Sequence, residues 1–411
     1  MDPATQYLLN RVHNLKDNVK FSPIYMVPDI LREVNPSSFT PRVVSIGPFH
    51  KGHTNLKSVE NKKPIDMKEL LLKVGSHLDE TMDKCVKKVR GSIQKIRKYY
   101  FEMKKYTDDE LVQMMVMDGC FILQFIDKLP ITGNLFSDNR LRSRNIALDL
   151  VLLENQIPFF VLQDIYDLTV AKLRPKSTLT TMLKVLLDLI NPLEKPLRVE
   201  NVGTEKPHHI LGLLHKFYKP NFKLPEITEI PRAHSIIELD RVGVKMRPDN
   251  NLTWLMAMEF ENSRPTLRIP VARIDNFFEV VLRNLIAYEQ YSPVDNYVTS
   301  YAMAMHMLAA TPADIAKMGK SCVIVSHLGS NEKASDMISS ICKNVNLQDF
   351  YYIEPWKNVA NYCDSYWPRN FGVFKRTYID TPWKVIALVA AIIVFLITFV
   401  QFFRQLVAPF P

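Results

Sequence analysis

The sequence predicts a mainly α-helical protein: a large helical body with a few short strands, followed by a C-terminal transmembrane helix. Three observations indicate this class. Apolar residues recur at intervals of three and four along extended stretches, as they do on one face of a helix. Signals for the start of a helix occur at Thr107–Glu110 and at Thr311–Asp314. One run of 19 residues near the C-terminus, 385–403, holds no charge.

The N-terminal part of the chain predicts turns and short extended pieces. Residues 1–21 form an N-terminal segment that has no continuous apolar stretch typical of a secretory signal. The body begins near residue 22 and extends to about 380. Three of the four residues in Val43–Ile46 are β-branched, which favours a short strand.

A long amphipathic helix is predicted from Asp66 to about Met103. Residues 81–105 hold nine Lys or Arg and two acids, so most of the net charge of +9 lies there. The simplest interpretation of the basic residues is a solvated outer face. The alternative is a candidate interaction surface for anionic lipid or an acidic partner. Its members lie off the apolar stripe: Lys84, Lys87, Lys88, Lys95 and Lys98.

Further helices are predicted along the body. Thr107 and Glu110 have the spacing of a capping box, and Thr311 begins another helix with Pro312 in its first turn. Pro158 should break or kink an apolar helix over 146–168 near Ile157. Residues 192–207 are rich in proline and charge, which is typical of a linker. The remaining predictions are helices near 208–218, 233–241, 275–290 and 294–310, and strands near 242–246, 267–271 and 322–326.

A polar triplet interrupts the apolar stretch before Pro158. Glu154, Asn155 and Gln156 must find hydrogen-bond partners if they are buried. We expect a structural polar knot with Arg283 and Asn284. A contact with a ligand or a partner protein is the alternative.

The C-terminal apolar run predicts a single-pass membrane helix at 383–404, with a short tail at 405–411. As a helix, 19 residues span about 28 Å, close to a bilayer core. Trp383 and Lys384 at one edge and Arg404 at the other resemble interface anchors. The excess of basic residues before the span places the body in the cytosol, as in a tail-anchored protein. The length suits the thinner bilayer of the endoplasmic reticulum. Because a helix can tilt, the plasma membrane is an alternative location.

Several function classes lack their sequence signals. The chain has no Gly-rich phosphate loop, no G-x-S-x-G and no H-E-x-x-H, so we expect no catalysis, no cofactor and no metal. Its five cysteines lack C-x-x-C spacing and are expected to be reduced. Basic residues without interleaved aromatics do not favour nucleic acid.

The favoured hypothesis is therefore a membrane-anchored protein that binds an unknown cytosolic protein. One alternative is a membrane-bound enzyme with an unusual site built from Asp118, Glu154 and Glu289. Another is a protein that binds anionic lipid through the basic face at 84–98.

Several motifs occur together and in order. They are VVSIGPFH at 43–50, MMVMDGCFI at 114–122, DLVLLENQIPFFVL at 149–162, RNLIAYEQ at 283–290, and a hydrophobic tail after Pro382-Trp383. In this respect the chain resembles the plant family called domain of unknown function 247 over about residues 22–403.

The resemblance implies a largely α-helical fold that ends in one transmembrane helix. It implies no established enzymatic activity and supplies no catalytic residues. Some members of the family in grasses are linked to self-incompatibility, so the resemblance also implies a possible class of role in recognition or signalling.

Overall fold

The computed structural model describes residues 1–14, 21–75, 78–129, 140–203, 205–222, 232–249, 254–365, 379 and 382–407. Helices dominate this part of the chain and strands are short, so the predicted fold class is confirmed. The chain divides into two compact units built from separate stretches. The first unit comprises 1–221, 275–299 and 340–349, and the second comprises 222–274, 300–339 and 350–411.

The first unit is helical. Its helices are α1 (Pro3–Asn14), α2 (Asp29–Arg32), α3 (Lys57–Glu60), α4 (Lys63–Val74), α5 (Leu78–Gly91), α6 (Ile93–Tyr99), α7 (Asp108–Asp127), α8 (Arg140–Asp149), α9 (Phe159–Leu168), α10 (Val170–Leu173), α11 (Leu179–Asp188) and α12 (Ile210–Phe217). Short 3₁₀ helices lie at Pro36–Ser38, Thr54–Leu56 and Val199–Val202.

The second unit mixes helices with short strands. In chain order its elements are α13 (Ile236–Arg241), β1 (Lys245–Pro248), β2 (Glu259–Glu261), β3 (Thr266–Ile269) and β4 (Ala272–Ile274). Helix α14 (Asn276–Tyr291) returns to the first unit. The elements that follow lie mostly in the second unit: α15 (Tyr297–Leu308), α16 (Pro312–Lys320), β5 (Ile324–Ser326), α17 (Asn331–Ile341), α18 (Ile353–Asp364) and α19 (Pro382–Val407).

Helix α7 lies at the centre of the first unit. It begins at the predicted capping box, where the Thr107 hydroxyl accepts from the Glu110 N–H and the Glu110 carboxylate accepts from the Thr107 N–H. It contacts α4, α5, α9 and α11. Its side chains are therefore buried along most of the helix, including Asp118. A helix covered on several sides carries no broad polar face.

The prediction of one continuous helix from Asp66 to Met103 is wrong. The chain forms α4, α5 and α6 instead. Gly75 ends α4 with a φ of 150°, which other residues rarely adopt, and Gly91 ends α5. The spacing of the apolar residues still identifies the buried face of each helix, because Leu70, Val89 and Ile96 are buried.

The strand predicted at Val43–Ile46 is also wrong. The backbone N–H groups of Arg42, Val43 and Val44 donate to the Asp149 carboxylate at 3.0, 2.7 and 2.9 Å. A side chain therefore satisfies donors that a neighbouring strand would otherwise take. Burial raises the pKa of Asp149 to about 6, and the three amide donors oppose this shift.

The predicted break before Pro158 is confirmed, and it is wider than a kink. Helix α8 ends at Asp149, residues 150–158 have no helix, and α9 begins immediately after Pro158. The polar triplet therefore lies in a buried loop and not in a helix. Residues 192–207, expected to be a linker, fall within the first unit, where Leu193 and Leu197 are buried.

Two small sheets form in the second unit. Strands β1 and β3 pair in parallel, β2 and β3 pair antiparallel, and β4 pairs in parallel with β5. The predicted strands near 242–246, 267–271 and 322–326 correspond to β1, β3 and β5 with shifted bounds. Helix α16 begins after Thr311 with Pro312 in its first turn, as predicted, and Thr311 and Asp314 also form a capping box there.

Candidate functional site

The loop at 150–158 is held by the side chains of its own polar triplet. Glu154 is 1% exposed. Its Oε1 accepts from the Val27 N–H at 2.6 Å and forms an ion pair with Arg32. Its Oε2 lies 3.0 Å from Nε2 of His50. One carboxylate thus joins two stretches of chain, 27–32 and the turn at His50, that lie more than 100 residues away in sequence.

Asn155 and Gln156 complete the loop. Oδ1 of Asn155 accepts from the Ile46 N–H at 2.7 Å, and its Nδ2 donates to the carbonyls of Val44 and Asp149. Nε2 of Gln156 donates to two carbonyls within the loop itself, those of Leu150 and Leu152. These contacts supply partners for backbone groups that no helix or sheet satisfies.

Of the two residues expected to pair with the triplet, the structure brings only Asn284 to the loop. Oδ1 of Asn284 accepts from the Leu153 N–H at 2.9 Å, and its Nδ2 donates to the Ser38 carbonyl at 2.8 Å. Arg283 lies next to it in sequence but pairs elsewhere, with Glu279 at 2.8 Å and the Ser340 hydroxyl at 2.8 Å.

The three acids of the enzyme hypothesis have separate partners. Asp118 pairs with Lys63 at 2.7 Å and accepts from the Gly47 N–H at 2.8 Å. Glu289 lies 2.8 Å from Nε2 of His215 and accepts from the Thr299 N–H at 2.7 Å. Glu154 has the partners described above. Among the described residues no hydrogen bond or ion pair joins any two of these acids, so they do not form a shared carboxylate pair.

Lys63 is a buried charged residue, at 2% exposure. Its Nζ pairs with Asp118 and Glu60 and donates to the Ser45 carbonyl. Burial opposes the charged form, but the two carboxylates outweigh it and raise the pKa of Lys63. The ammonium therefore stays charged. It connects α4 to Asp118 of α7 and to the turn that contains Ser45.

The buried thiols carry no sign of activation. Cys120, next to Gly119 in α7, is buried, and desolvation raises the pKa of its thiol. Cys85 is also buried, with its pKa raised to about 11. A reactive cysteine needs the opposite shift, because the thiolate is the nucleophile.

The predicted basic face lies on α5 and α6, and all five lysines are exposed. Acids of the same unit engage three of them: Lys84 pairs with Glu80, Lys87 with Asp83, and Lys88 with Asp164 at 3.7 Å. Lys95 lies 3.9 Å from the centre of the Phe160 ring. Exposed pairs of this kind contribute little energy, and they reduce the charge this face offers to a partner.

A cleft of about 360 Å³ opens in the first unit beside α12. His208 lies on its wall with Nδ1 2.9 Å from the Tyr288 hydroxyl, and burial lowers the pKa of this histidine. His215 contacts Glu289 through Nε2 and Tyr297 through Nδ1 at 2.7 Å, so both of its ring nitrogens are engaged. The described residues contain no group of three or more side chains able to hold a metal ion.

The predicted transmembrane helix corresponds to α19. Its segment Pro382–Phe403 has 22 residues, is apolar and long enough to cross a membrane by length and composition, and is not buried within the protein. Trp383 is 80% exposed. Three basic residues before the span, on which the predicted orientation rests, lie outside the described residues: Arg369, Lys375 and Arg376. So do residues 251–253, whose sequence Asn-Leu-Thr has the pattern of a glycosylation sequon.

Sequence reasoning missed the partners of Glu154 and Asp118. Arg32, His50 and Lys63 are ordinary polar residues in the sequence, and no local pattern marks them as buried. The only signal is their position in or near proline-rich turns, at Pro28, Pro48 and Pro64. Contacts over such separations become visible only in the folded chain.

Comparison with known proteins places the chain in a family. The sequence profile of a family described as "Plant protein of unknown function", DUF247, matches residues 24–397. The UPF0481 protein At3g47200 of Arabidopsis thaliana is 30% identical, over 92% of this chain and 85% of the relative. The putative UPF0481 protein At3g02645 of the same plant is 20% identical, over 94% and 90%.

No solved structure matches the chain. The match to the profile covers the motifs at 43–50, 114–122, 149–162 and 283–290, and the polar loop described above lies within it. The chain therefore belongs to the plant family called domain of unknown function 247.

Proposed function

We propose that this protein is anchored in a membrane by α19 and acts by binding another protein, as a component of recognition or signalling in the cytosol. The observation that carries the proposal is the exposure of α19. Burying apolar surface stabilises a protein by roughly 25 cal/mol per Å². An apolar helix of this length that stays in water does not gain this free energy. A bilayer would cover all of its apolar surface.

The buried polar chemistry of the first unit supports binding over catalysis. Glu154, Asp118 and Glu289 each have their own internal partners, and each holds backbone groups in place. Side chains used in this way stabilise a rigid body, which can present a surface to a partner. The family resemblance extends the proposal to recognition, because some grass members are linked to self-incompatibility.

The charges beside the helix support a cytosolic position for the body. Lys384 lies at the N-terminal edge of the span, and Arg369, Lys375 and Arg376 lie shortly before it in sequence. Basic residues within about 15–20 residues of a span favour the cytosolic side.

Membrane anchoring is tested by alkaline carbonate extraction of the full-length protein. We expect the wild type to stay in the membrane pellet and Leu396→Arg to shift into the supernatant, because arginine at the centre of a span costs about 3 kcal/mol. Leu72→Arg is the matched control: both leucines are 54% exposed, but Leu72 lies in α4. Extraction of the wild type, or equal extraction of both variants, would overturn the anchor.

The binding role is tested by proximity labelling in plant cells. The full-length protein and a reporter fused to 366–411 alone are labelled in parallel, and neighbours are identified by mass spectrometry. We expect a reproducible set of cytosolic proteins enriched by the full-length chain. Identical sets from the two samples would count against a binding role for the body.

A further inference from the structure

A second cleft, in the second unit, gathers positive charge on one face of the three-stranded sheet. It has a volume of about 390 Å³. Its lining includes four basic side chains and one acidic side chain. The basic residues are Lys245, Arg247, Arg264 and Arg268.

The strand register explains why these side chains meet. In the parallel pair, Lys245 lies opposite Thr266 and Arg247 lies opposite Arg268. Alternate residues of a strand point to the same face, so these two pairs share one side of the sheet. Arg264 lies in the turn that leads into β3.

The other face of the same sheet is apolar. Met246 and Leu267 alternate with the basic residues and line a small space with Leu239 of α13. On the edge strand β2, the Phe260 ring lies 5.9 Å from that of Tyr362 in α18. The sheet is therefore half buried, and the basic residues occupy its open side.

Only one of the four cations is neutralised by a carboxylate in the cleft. Arg268 lies 3.1 Å from Oε2 of Glu261, and the Ser263 hydroxyl donates to Oε1 of Glu261 at 3.1 Å. These contacts lower the pKa of Glu261 and keep it ionised. Within the described part of the chain, Lys245, Arg247 and Arg264 form no ion pair, so the residues that line the cleft keep a net charge of about +3. Glu259 lies opposite Arg268 on the edge strand β2, and counting it lowers the net charge of this face to about +2.

The composition of the lining identifies the class of ligand. Guanidinium groups match phosphate oxygens with paired N–H donors, and lysine adds a point charge. Thr266 also lines the cleft, and its hydroxyl can donate to a further oxygen, whereas the Ser263 hydroxyl already donates to Glu261. None of the lining residues is aromatic, so the cleft offers no platform for stacking bases.

We propose that this cleft binds a small ligand that carries several phosphate groups. A free inositol phosphate and the headgroup of a phosphorylated membrane lipid share this chemistry. The proposal does not depend on the partner-binding role proposed above, because it rests on the sheet of the second unit alone.

The test uses the full-length protein in neutral-detergent micelles and isothermal titration with inositol hexakisphosphate as the probe. Arg247→Gln combined with Arg264→Gln removes two of the unpaired cations. We expect binding to weaken about tenfold or more, which corresponds to at least about 1.4 kcal/mol. Higher salt should also weaken binding by the wild type.

The matched control is Lys172→Gln combined with Lys176→Gln, which removes the same charge from two exposed positions of the first unit. Binding by this control is expected to stay within about twofold of the wild type. Circular dichroism checks that both variants keep their helices, and Lys245→Gln with Arg247→Gln is a second cleft variant. No binding by the wild type, or equal loss in the cleft variants and the control, would overturn the proposal.

Two further titrations distinguish the sources of the phosphate. One uses inositol 1,4,5-trisphosphate, and the other uses a short-chain phosphatidylinositol 4,5-bisphosphate placed in the micelles. Tighter binding of the lipid would identify a membrane headgroup as the ligand. Equal or tighter binding of the free headgroup would identify a soluble phosphate, and binding of neither would contradict the site.

Discussion

Glu154 shows how single residues hold the first unit together. Its two oxygens reach Val27, Arg32 and His50, and the residue has almost no exposure of its own. Asp149 and Asp118 act in the same way on the N–H groups of Arg42 to Val44 and of Gly47. Buried acids in this protein therefore replace the hydrogen bonds that a regular element would provide.

Replacing Glu154 by glutamine should destabilise the first unit strongly. The change leaves Arg32 without its partner, and loss of one member of a buried ion pair costs about 3–5 kcal/mol. Arg32 is 21% exposed at its side chain, so the lower end of this range is expected. Urea unfolding of the full-length protein in neutral detergent measures the change.

Glu80→Gln is the control for this experiment. Glu80 pairs with Lys84 on the exposed face of α5, and we expect its loss to cost under about 0.5 kcal/mol. A value for Glu154→Gln as small as the control would show that the Arg32 pair does not stabilise the fold.

His209 should make stability depend on pH. The ring is fully buried, with Nδ1 accepting from the Gly212 N–H at 3.0 Å and Nε2 3.2 Å from the Pro23 carbonyl. This pairing requires a neutral ring. Desolvation, with smaller contributions from His208 and His215, lowers its pKa from 6.5 to about 3.

As pH falls from 6.5 towards 3, the unfolded chain binds a proton at this position and the folded chain does not. The free energy of unfolding should therefore fall by up to about 1.4 kcal/mol for each pH unit in that window. His209→Asn keeps a side chain able to cap α12 and removes the titration, so its pH profile should be flatter. His53→Asn, at an exposed position, is the control for the substitution, and its profile should differ less from the wild type than that of His209→Asn does. Parallel profiles for His209→Asn and the wild type would contradict this assignment.

The elements of the first unit are set by glycine and proline as much as by apolar periodicity. Gly75 and Gly91 end α4 and α5, and Pro158 starts α9. Helix starts are local patterns, and the capping box at Thr107 and the helix start at Thr311 were predicted correctly. Strands β2 and β4 have three residues each, and the sequence did not predict them. Strand β5 is equally short, but the apolar run CVIV at 322–325 indicated it.

Gly47 is the position at which the turn after 43–46 meets the loop at 150–158. Its φ is +73°, and a Cβ placed there would lie 2.5 Å from the Gln156 carbonyl oxygen. Gly47→Ala should therefore destabilise the protein by roughly 2 kcal/mol or more, through both backbone strain and the clash. Thermal unfolding followed by circular dichroism measures it.

Gly52→Ala is the matched control, because Gly52 also has a positive φ, of +90°, but open space around it. Its cost is expected near 1–2 kcal/mol from the backbone alone. Equal losses in the two variants would show that the approach of Gln156 is not close enough to matter.

On the scale of the whole molecule, the sequence predicted the helical class, the family and the apolar C-terminal helix. It did not predict the division into two units. The reason lies in residues such as Asn284, whose partners Leu153 and Ser38 are 131 and 246 positions away. A local pattern can show that such a residue is polar in an apolar stretch, but it cannot show which segment it meets. The cleft on the β1–β3 face was missed for the same reason.

The proposed orientation predicts the outcome of protease treatment of sealed microsomes. If the body faces the cytosol, added protease should degrade it without detergent, and Asn251 should carry no glycan although it lies in a sequon. A lumenal marker protein checks that the vesicles are closed. Protection of the body, or a shift in mass removed by glycosidase, would reverse the orientation.

The discontinuous first unit has a consequence during synthesis. The Tyr25 hydroxyl donates to the Ala287 carbonyl, 262 residues later, and the unit is completed only by residues 340–349. In a nascent chain that ends near residue 221, the Leu153 N–H and the Ser38 carbonyl are already present. Their partner Asn284 has not yet been synthesised. Loop closure over such lengths is slow, so these buried polar groups stay open to water, or to a chaperone, until most of the polypeptide has emerged.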